Sequence, residues 1–202
     1  IIFQPPMEEI STMNQEPLGL NEKEILLTIA RDAIERSVQG ESLTKIDLPS
    51  LPTYLQEQGA SFVTLTINER LRGCIGALKA HQPLAIDVQE HAVAAALQDF
   101  RFPPIQPEEL SKIAIEISVL TPHTPLQYDI PQDLINKLRP RIDGVVLQDG
   151  FRKATFLPQV WDQLPDPAEF LSHLCLKMGA LGDLWRKKPL QVFTYQVQEF
   201  HE

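Results

Sequence analysis

Apolar residues recur at helical spacing as Ile25, Leu26, Ile29, Ala30, Ala33, Ile34 and Val38. Such a stripe predicts an amphipathic helix laid on a core. Asn21 and Glu24 are spaced to cap its start, and Gly40 is placed to stop it. The period then changes to two. Phe62, Leu65 and Ile67 stand among threonines and Val63, which predicts a strand over 61–68. Asn68-Glu69-Arg70 is a tight connection, and 71–78 is the returning strand of a hairpin. Pro83 opens a second helix that runs to about Leu97. Its Ala92, Ala94, Ala95 and Ala96 let a neighbouring element approach closely. Ile113, Ile115, Ile117 and Val119 alternate with Ala114, Glu116 and Ser118, the clearest half-buried strand of the chain.

Beyond Pro122 and Pro125 the elements shorten. Leu134, Ile135 and Leu138 mark a short helix over 131–138. The turn signals Asp143-Gly144 and Asp149-Gly150 flank a hairpin of 145–148 with 151–157. A helix over 167–179 gathers Phe170, Leu171, Leu174, Cys175 and Met178 on one face, and 190–200 closes the chain as a strand. Helices interspersed with mostly antiparallel strands make the fold class α+β. Residues 1–20, with Pro5, Pro6 and Pro17, show no period and read as a surface tail.

The 202 residues suffice for one large domain or one domain with a smaller lobe. Asp and Glu number 27 against 18 Lys and Arg, a net charge of −9. That sign disfavours nucleic acid, whose phosphates would need a local basic patch. The basic runs at 139–141, 152–153 and 186–188 read as solvated surface charge. No apolar run approaches the roughly 18 residues of a membrane span, so no membrane partner is expected. The first residues also lack a basic head followed by a long apolar segment. Two cysteines make no disulfide framework, so the chain reads as cytoplasmic with reduced thiols.

Chemistry concentrates in Leu71-Arg72-Gly73-Cys74-Ile75-Gly76. On a regular strand Arg72 and Cys74 share a face about 7 Å apart, opposite Leu71, Gly73 and Ile75. A guanidinium near a thiol favours thiolate and raises its reactivity. Two glycines within a strand point to close approach by a ligand or by another backbone. A buried structural cysteine in a glycine-kinked strand explains the same residues. Cys175, on the apolar stripe of its helix, reads as core. His173 lies about 200° from Cys175 around that helix, so the pair cannot chelate one metal. His91 follows Asp87 by one helical turn, which suits either an oriented base or a simple pair. His81, His123 and His201 read as loop or tail residues. No metal-ligand spacing, phosphate-binding loop or nucleophile elbow occurs, so no metal or cofactor is expected.

LRGCIG at 71–76 resembles the hallmark of the AMMECR family, whose prokaryotic members are the AmmeMemoRadiSam system protein A. The likeness continues through Asp99-Phe100-Arg101-Phe102-Pro103-Pro104, Ile115 to Pro122, Ala154 to Trp161, His173-Leu174-Cys175 and Phe193 to Val197. It covers roughly 20–200, in order. The resemblance implies two lobes: a larger one with an antiparallel sheet and flanking helices, over 21–123 and 188–202, and a smaller inserted α+β lobe over 124–187. It implies that hallmark side chains line a cleft between them, with Leu71, Gly73, Ile75 and Gly76 beside Cys74 and Arg72, and with Arg101, His91 and His173 as secondary candidates. It also implies an association with radical SAM and Memo-type proteins. The expected function is a binding or accessory component of a modification pathway, holding a protein or small-molecule ligand in the cleft. The alternative is an enzyme with Cys74 as reactive thiol and Arg72 on an anionic substrate.

Overall fold

The computed structural model describes residues 18–202. The expected tail falls mostly on residues 1–17, outside the described part. Leu18 is already buried in the core, and its amide donates to Gln198 Oε1 at 2.7 Å. That anchor starts helix α1 (Leu20–Val38) early, with Gly19 at the N-cap and Asn21 inside the first turn, so the capping role expected of Asn21 is not used. Gly40 ends the helix at φ 73°, a conformation that glycine adopts without steric cost.

After a short helix α2 (Thr53–Gln56), strand β1 (Gln58–Ile67) turns into β2 (Arg70–Gly76). Asn68 and Glu69 both take positive φ, the backbone of a tight hairpin turn whose twist matches the strands. A two-residue strand β3 (Gln82–Pro83) leads into helix α3 (Leu84–Leu97), and β4 (Ile113–Leu120) follows. The larger sheet has the order β2-β1-β4 and then β9 (Val197–His201), with β3 beside β1, all antiparallel. Its inward face carries Val63, Leu65, Ile113, Ile115 and Ile117, packed with Leu26, Ala30, Ala33 and Ile34 of α1 and with Val88, Ala92 and Ala95 of α3. Period two in the strands and period 3.6 in the helices thus meet in one core.

The chain leaves this sheet after Leu120 and builds a second one. β5 (Thr124–Pro125), helix α4 (Pro131–Lys137), β6 (Gly144–Asp149), β7 (Arg152–Phe156), helix α5 (Pro167–Lys177), helix α6 (Leu184–Lys187) and β8 (Gln191–Tyr195) follow in order. The smaller sheet runs β5-β8-β6-β7. Its core includes Val145, Leu147, Phe170, Leu174 and Cys175, with the Trp161 ring stacked on Phe170 at 3.7 Å. The excursion therefore ends at Tyr195 and not at 187. The single closing strand expected over 190–200 is two strands, β8 in the smaller sheet and β9 in the larger. Gln196 makes the crossing: its amide donates to Thr121 Oγ1 at 2.8 Å, and its carbonyl accepts from the Thr121 amide at 2.9 Å. Ala60 and Leu120 of the larger sheet pack against Val146 and Tyr195 of the smaller one at this seam.

No helix among the described residues is long and apolar enough to cross a membrane.

Gly73 shows how tightly α3 lies on β2. A Cβ built there would stand 2.2 Å from the Ala95 carbonyl oxygen. The obstacle is helix backbone, which cannot rotate away. Gly73→Ala should lower stability by about 2–3 kcal/mol, read as a drop in the urea midpoint at unchanged m-value.

Candidate functional site

The hallmark strand β2 lies at the edge of its sheet, so one row of its backbone groups faces away from β1. Side chains take the place of a neighbouring strand at Cys74. Its amide donates to Asp99 Oδ2 at 2.8 Å, and its carbonyl accepts from Arg101 Nη2 at 3.0 Å. Asp99 is buried and also accepts from the Arg101 amide at 3.1 Å and from Arg101 Nε at 2.9 Å. The hydrogen bond from Arg101, with the Cys74 amide behind it, outweighs burial and holds the Asp99 carboxyl well below the usual carboxylate range.

Regular alternation fails in β2. Leu65 pairs with Gly73 but Thr66 pairs with Leu71, so Arg72 is the extra residue of a bulge. Its guanidinium grips Glu109 with Nε at 2.8 Å and Nη2 at 3.0 Å, and Nη1 donates to the Pro103 carbonyl at 2.9 Å. Glu109 and the Pro103 carbonyl thus occupy the side of the guanidinium that was expected to meet an anionic substrate. The guanidinium hydrogen-bonded to Cys74, through its carbonyl, belongs to Arg101.

Cys74 stands on the sheet face away from α1 and α3, opposite Thr64, whose hydroxyl donates to the sulfur at 3.3 Å. The same register continues through Glu116 to His201. Burial first, and then the neighbouring Glu199 carboxylate, push the Glu116 carboxyl upward. No His, Lys or carboxylate makes a hydrogen bond to the Cys74 sulfur among the described residues, so the thiol lacks a general base in contact.

A deep concavity lies elsewhere along the seam. It is a cleft of about 660 Å³ between the sheets, and its lining includes Leu78, two residues past the hallmark. Leu84, Leu120 and Val146 give it an apolar floor, and Lys79, Lys153 and Lys177 surround it with exposed side chains. Tyr195 lies behind this wall, its hydroxyl within 3.0 Å of Thr155 Oγ1. His123 forms part of the wall, its ring 5.0 Å from that of Tyr195 and its Nε2 buried without a hydrogen-bond partner among the described protein groups. Burial first, and then Lys153, lower the His123 pKa.

Residues 27–200 match the AMMECR1 family model. The chain belongs to the AMMECR1 family. A protein of Methanothermobacter thermautotrophicus is 38% identical over 94% of this chain and 99% of its own length. The protein MJ0810 of Methanocaldococcus jannaschii is 34% identical over 92% of each chain. The crystal structure of the uncharacterized protein PH0010 from Pyrococcus horikoshii superposes with a TM-score of 0.75 at 32% identity, covering 89% of this chain and 90% of that one.

In this AMMECR1-family chain the remaining candidates scatter. Gly73 faces Ala95 and Ile75 packs on the main core, so both point away from the outer face that carries Cys74. A Cβ at Gly76 would meet the Phe62 ring at 2.3 Å and the Ser61 carbonyl at 2.4 Å, so a neighbouring strand explains this glycine. Leu71 is exposed at 44%. His91 Nδ1 lies 3.1 Å from Asp87 Oδ2, which also accepts from the Ser61 amide at 2.9 Å and the Ser61 hydroxyl at 2.6 Å. That cluster ties α3 to β1. His173 is exposed on α5, while Cys175 is buried, its thiol pushed up by burial. Sequence reasoning missed Asp99, Thr64, Glu116, His123 and the cleft lysines. Asp99-Phe100-Arg101 held a readable signal: two opposite charges two residues apart beside an edge strand.

Because the folded Asp99 carboxyl titrates below its unfolded value near 3.9, its contribution is complete above about pH 4 and is lost as pH falls through the folded pKa. Asp99→Asn should be less stable than the parent at pH 7, and the gap should narrow below pH 4. Urea melts across pH 2–7 would show it, and a gap independent of pH would refute the charged role.

Proposed function

We propose that this AMMECR1-family protein is a binding component whose ligand occupies the cleft between the two sheets, working beside radical SAM and Memo-type proteins in a cytoplasmic modification pathway. The observation that carries this reading is the separation of the two candidate features. The cleft of about 660 Å³ is of the size and apolar character that small-molecule sites take, and neither Cys74 nor Arg72 lines it. Support also comes from the engagement of the hallmark strand: its backbone at Cys74 is satisfied by Asp99 and Arg101, and its arginine by Glu109. These contacts suit a structural part that positions Leu78 and Lys79 at the cleft. The two free cysteines agree with a reducing compartment.

A second reading, thiol chemistry at Cys74, draws on one observation. Cys74, Thr64 and Glu116 lie on one register line of the open sheet face, with the Thr64 hydroxyl on the sulfur and the Glu116 carboxyl pushed up by burial. In that reading Thr64 stands between the thiol and Glu116.

Cys74→Ser separates the two. The binding reading expects the variant to co-purify with the radical SAM and Memo-type partners and to support their turnover within about twofold. A loss on the order of 10³-fold with complex formation intact would favour thiol chemistry. Absence of any complex, together with full turnover by the partners alone, would refute the binding reading.

A further inference from the structure

The cleft differs from the rest of this acidic chain in charge. The chain carries 27 Asp and Glu against 18 Lys and Arg, yet no Asp or Glu is among the residues that line the cleft, while Lys79, Lys153 and Lys177 are. Of the six lysines elsewhere, three have carboxylate partners: Lys137 binds Asp133 at 2.9 Å, Lys187 binds Asp183 at 2.7 Å and Lys188 binds Asp149 at 2.6 Å. The ion pairs found among the described residues include none of the three at the cleft. Lys177 instead donates to the Thr155 carbonyl at 3.0 Å and lies over the Phe156 ring at 5.0 Å. Three ammonium groups in none of these ion pairs, around a cleft with no Asp or Glu in its lining, favour an anion there.

The three come from both sides of the seam. Lys79 follows β2 of the larger sheet, Lys153 lies on β7 and Lys177 on α5 of the smaller unit. Below them the walls are apolar, through Leu78, Leu84, Leu120 and Val146. Polar partners for a ligand are few. The His123 Nε2 is buried in this wall with no protein partner among the described residues. A site of this kind is an apolar slot with a cationic mouth.

We propose that the cleft binds an organic anion with an apolar body, its carboxylate or phosphate held by Lys79, Lys153 and Lys177 and its body lying on the floor formed by Leu84, Leu120 and Val146. This proposal rests on the reading of the cleft as the ligand site and specifies what enters it. Neutral and cationic molecules of the same shape bind less well, because the mouth then keeps three uncompensated ammonium groups.

Calorimetric titration of the full chain with four probes of equal chain length tests it: octanoate, octyl phosphate, octanamide and octylammonium. The His123 imidazole NMR signals report occupancy of the cleft. The expected result is that octanoate or octyl phosphate binds at least about tenfold more tightly than octanamide, the equivalent of about 1.4 kcal/mol, with octylammonium weakest and the His123 signals moving on binding. The preferred anion of the two names the head group. Lys79→Gln combined with Lys153→Gln should erase most of that preference, and Lys79→Arg with Lys153→Arg should keep it. Both lysines are exposed and neither bears on a core, so the variants fold. Octanamide binding as tightly as the anions while moving the His123 signals, or anion binding indifferent to the double Gln variant, would overturn the anion assignment and leave the cleft reading standing. Failure of all four probes to move His123 at millimolar concentration would overturn both.

Discussion

The relation between the two sheets depends on one paired crossing, Thr121 with Gln196. The chain leaves the larger sheet at Leu120 and re-enters it at Val197, and these two residues face each other in register. On the far side, Thr124 faces Thr194 in the smaller sheet. Both passages therefore run side by side, and the two hydrogen bonds between Thr121 and Gln196 bridge the gap where neither sheet's ladder reaches. Thr121, Pro122 and His123 then become cleft wall. The shape of the cleft follows from strand register on either side of this crossing.

The hallmark strand is held from several directions at once. Helix α3 presses its backbone onto Gly73, Phe62 fills the space over Gly76, and Asp99 with Arg101 occupies the open edge at Cys74. The Ala77 amide continues the pairing by donating to the Ser61 carbonyl at 3.0 Å. Each glycine is thus explained by a protein neighbour. A strand fastened in this way delivers the next residues, Leu78 to Ala80, to a defined place at the mouth of the cleft. The chemistry that made LRGCIG conspicuous is largely the chemistry of holding an edge strand without a neighbouring strand.

Much of the fold was legible because it rests on local periodicity. The stripe of α1, the tight turn at Asn68-Glu69 and the isoleucine alternation of β4 all carry their burial in their spacing. The small residues of α3 also announced close packing, which Ala95 makes against Gly73. Sheet membership was not legible. Val192, Tyr195 and Val197 read as one strand because nothing local distinguishes pairing with β6 from pairing with β4. The bulge at Arg72 was hidden for a related reason: it depends on the partner strand, and it moves the arginine to Glu109 while Arg101 takes the place at the Cys74 carbonyl. His123 and Lys153 looked like loop and surface residues. Only the approach of the second sheet turns them into a wall.

The packing between the sheets is thin compared with the packing inside each. Four buried side chains, Ala60, Leu120, Val146 and Tyr195, form the cluster at the seam, whereas the main cluster of the larger sheet draws on three helices and three strands. Hydrophobic stabilisation scales with the apolar area removed from water, at about 25 cal/mol per Å². The seam contributes least to stability, and the cleft leaves apolar surface of both sheets uncovered there. An apolar ligand lying on Leu84 and Leu120 from one side and Val146 from the other would extend that cluster. Its binding free energy would then be shared with the stability of the sheet-to-sheet contact, since a ligand that needs both walls favours the state in which they are together. Lys79 stands on one side and Lys153 and Lys177 on the other, so an anion held by all three would also draw on both walls. Apolar floor and cationic mouth would then couple the occupancy of the cleft to the docking of the two sheets.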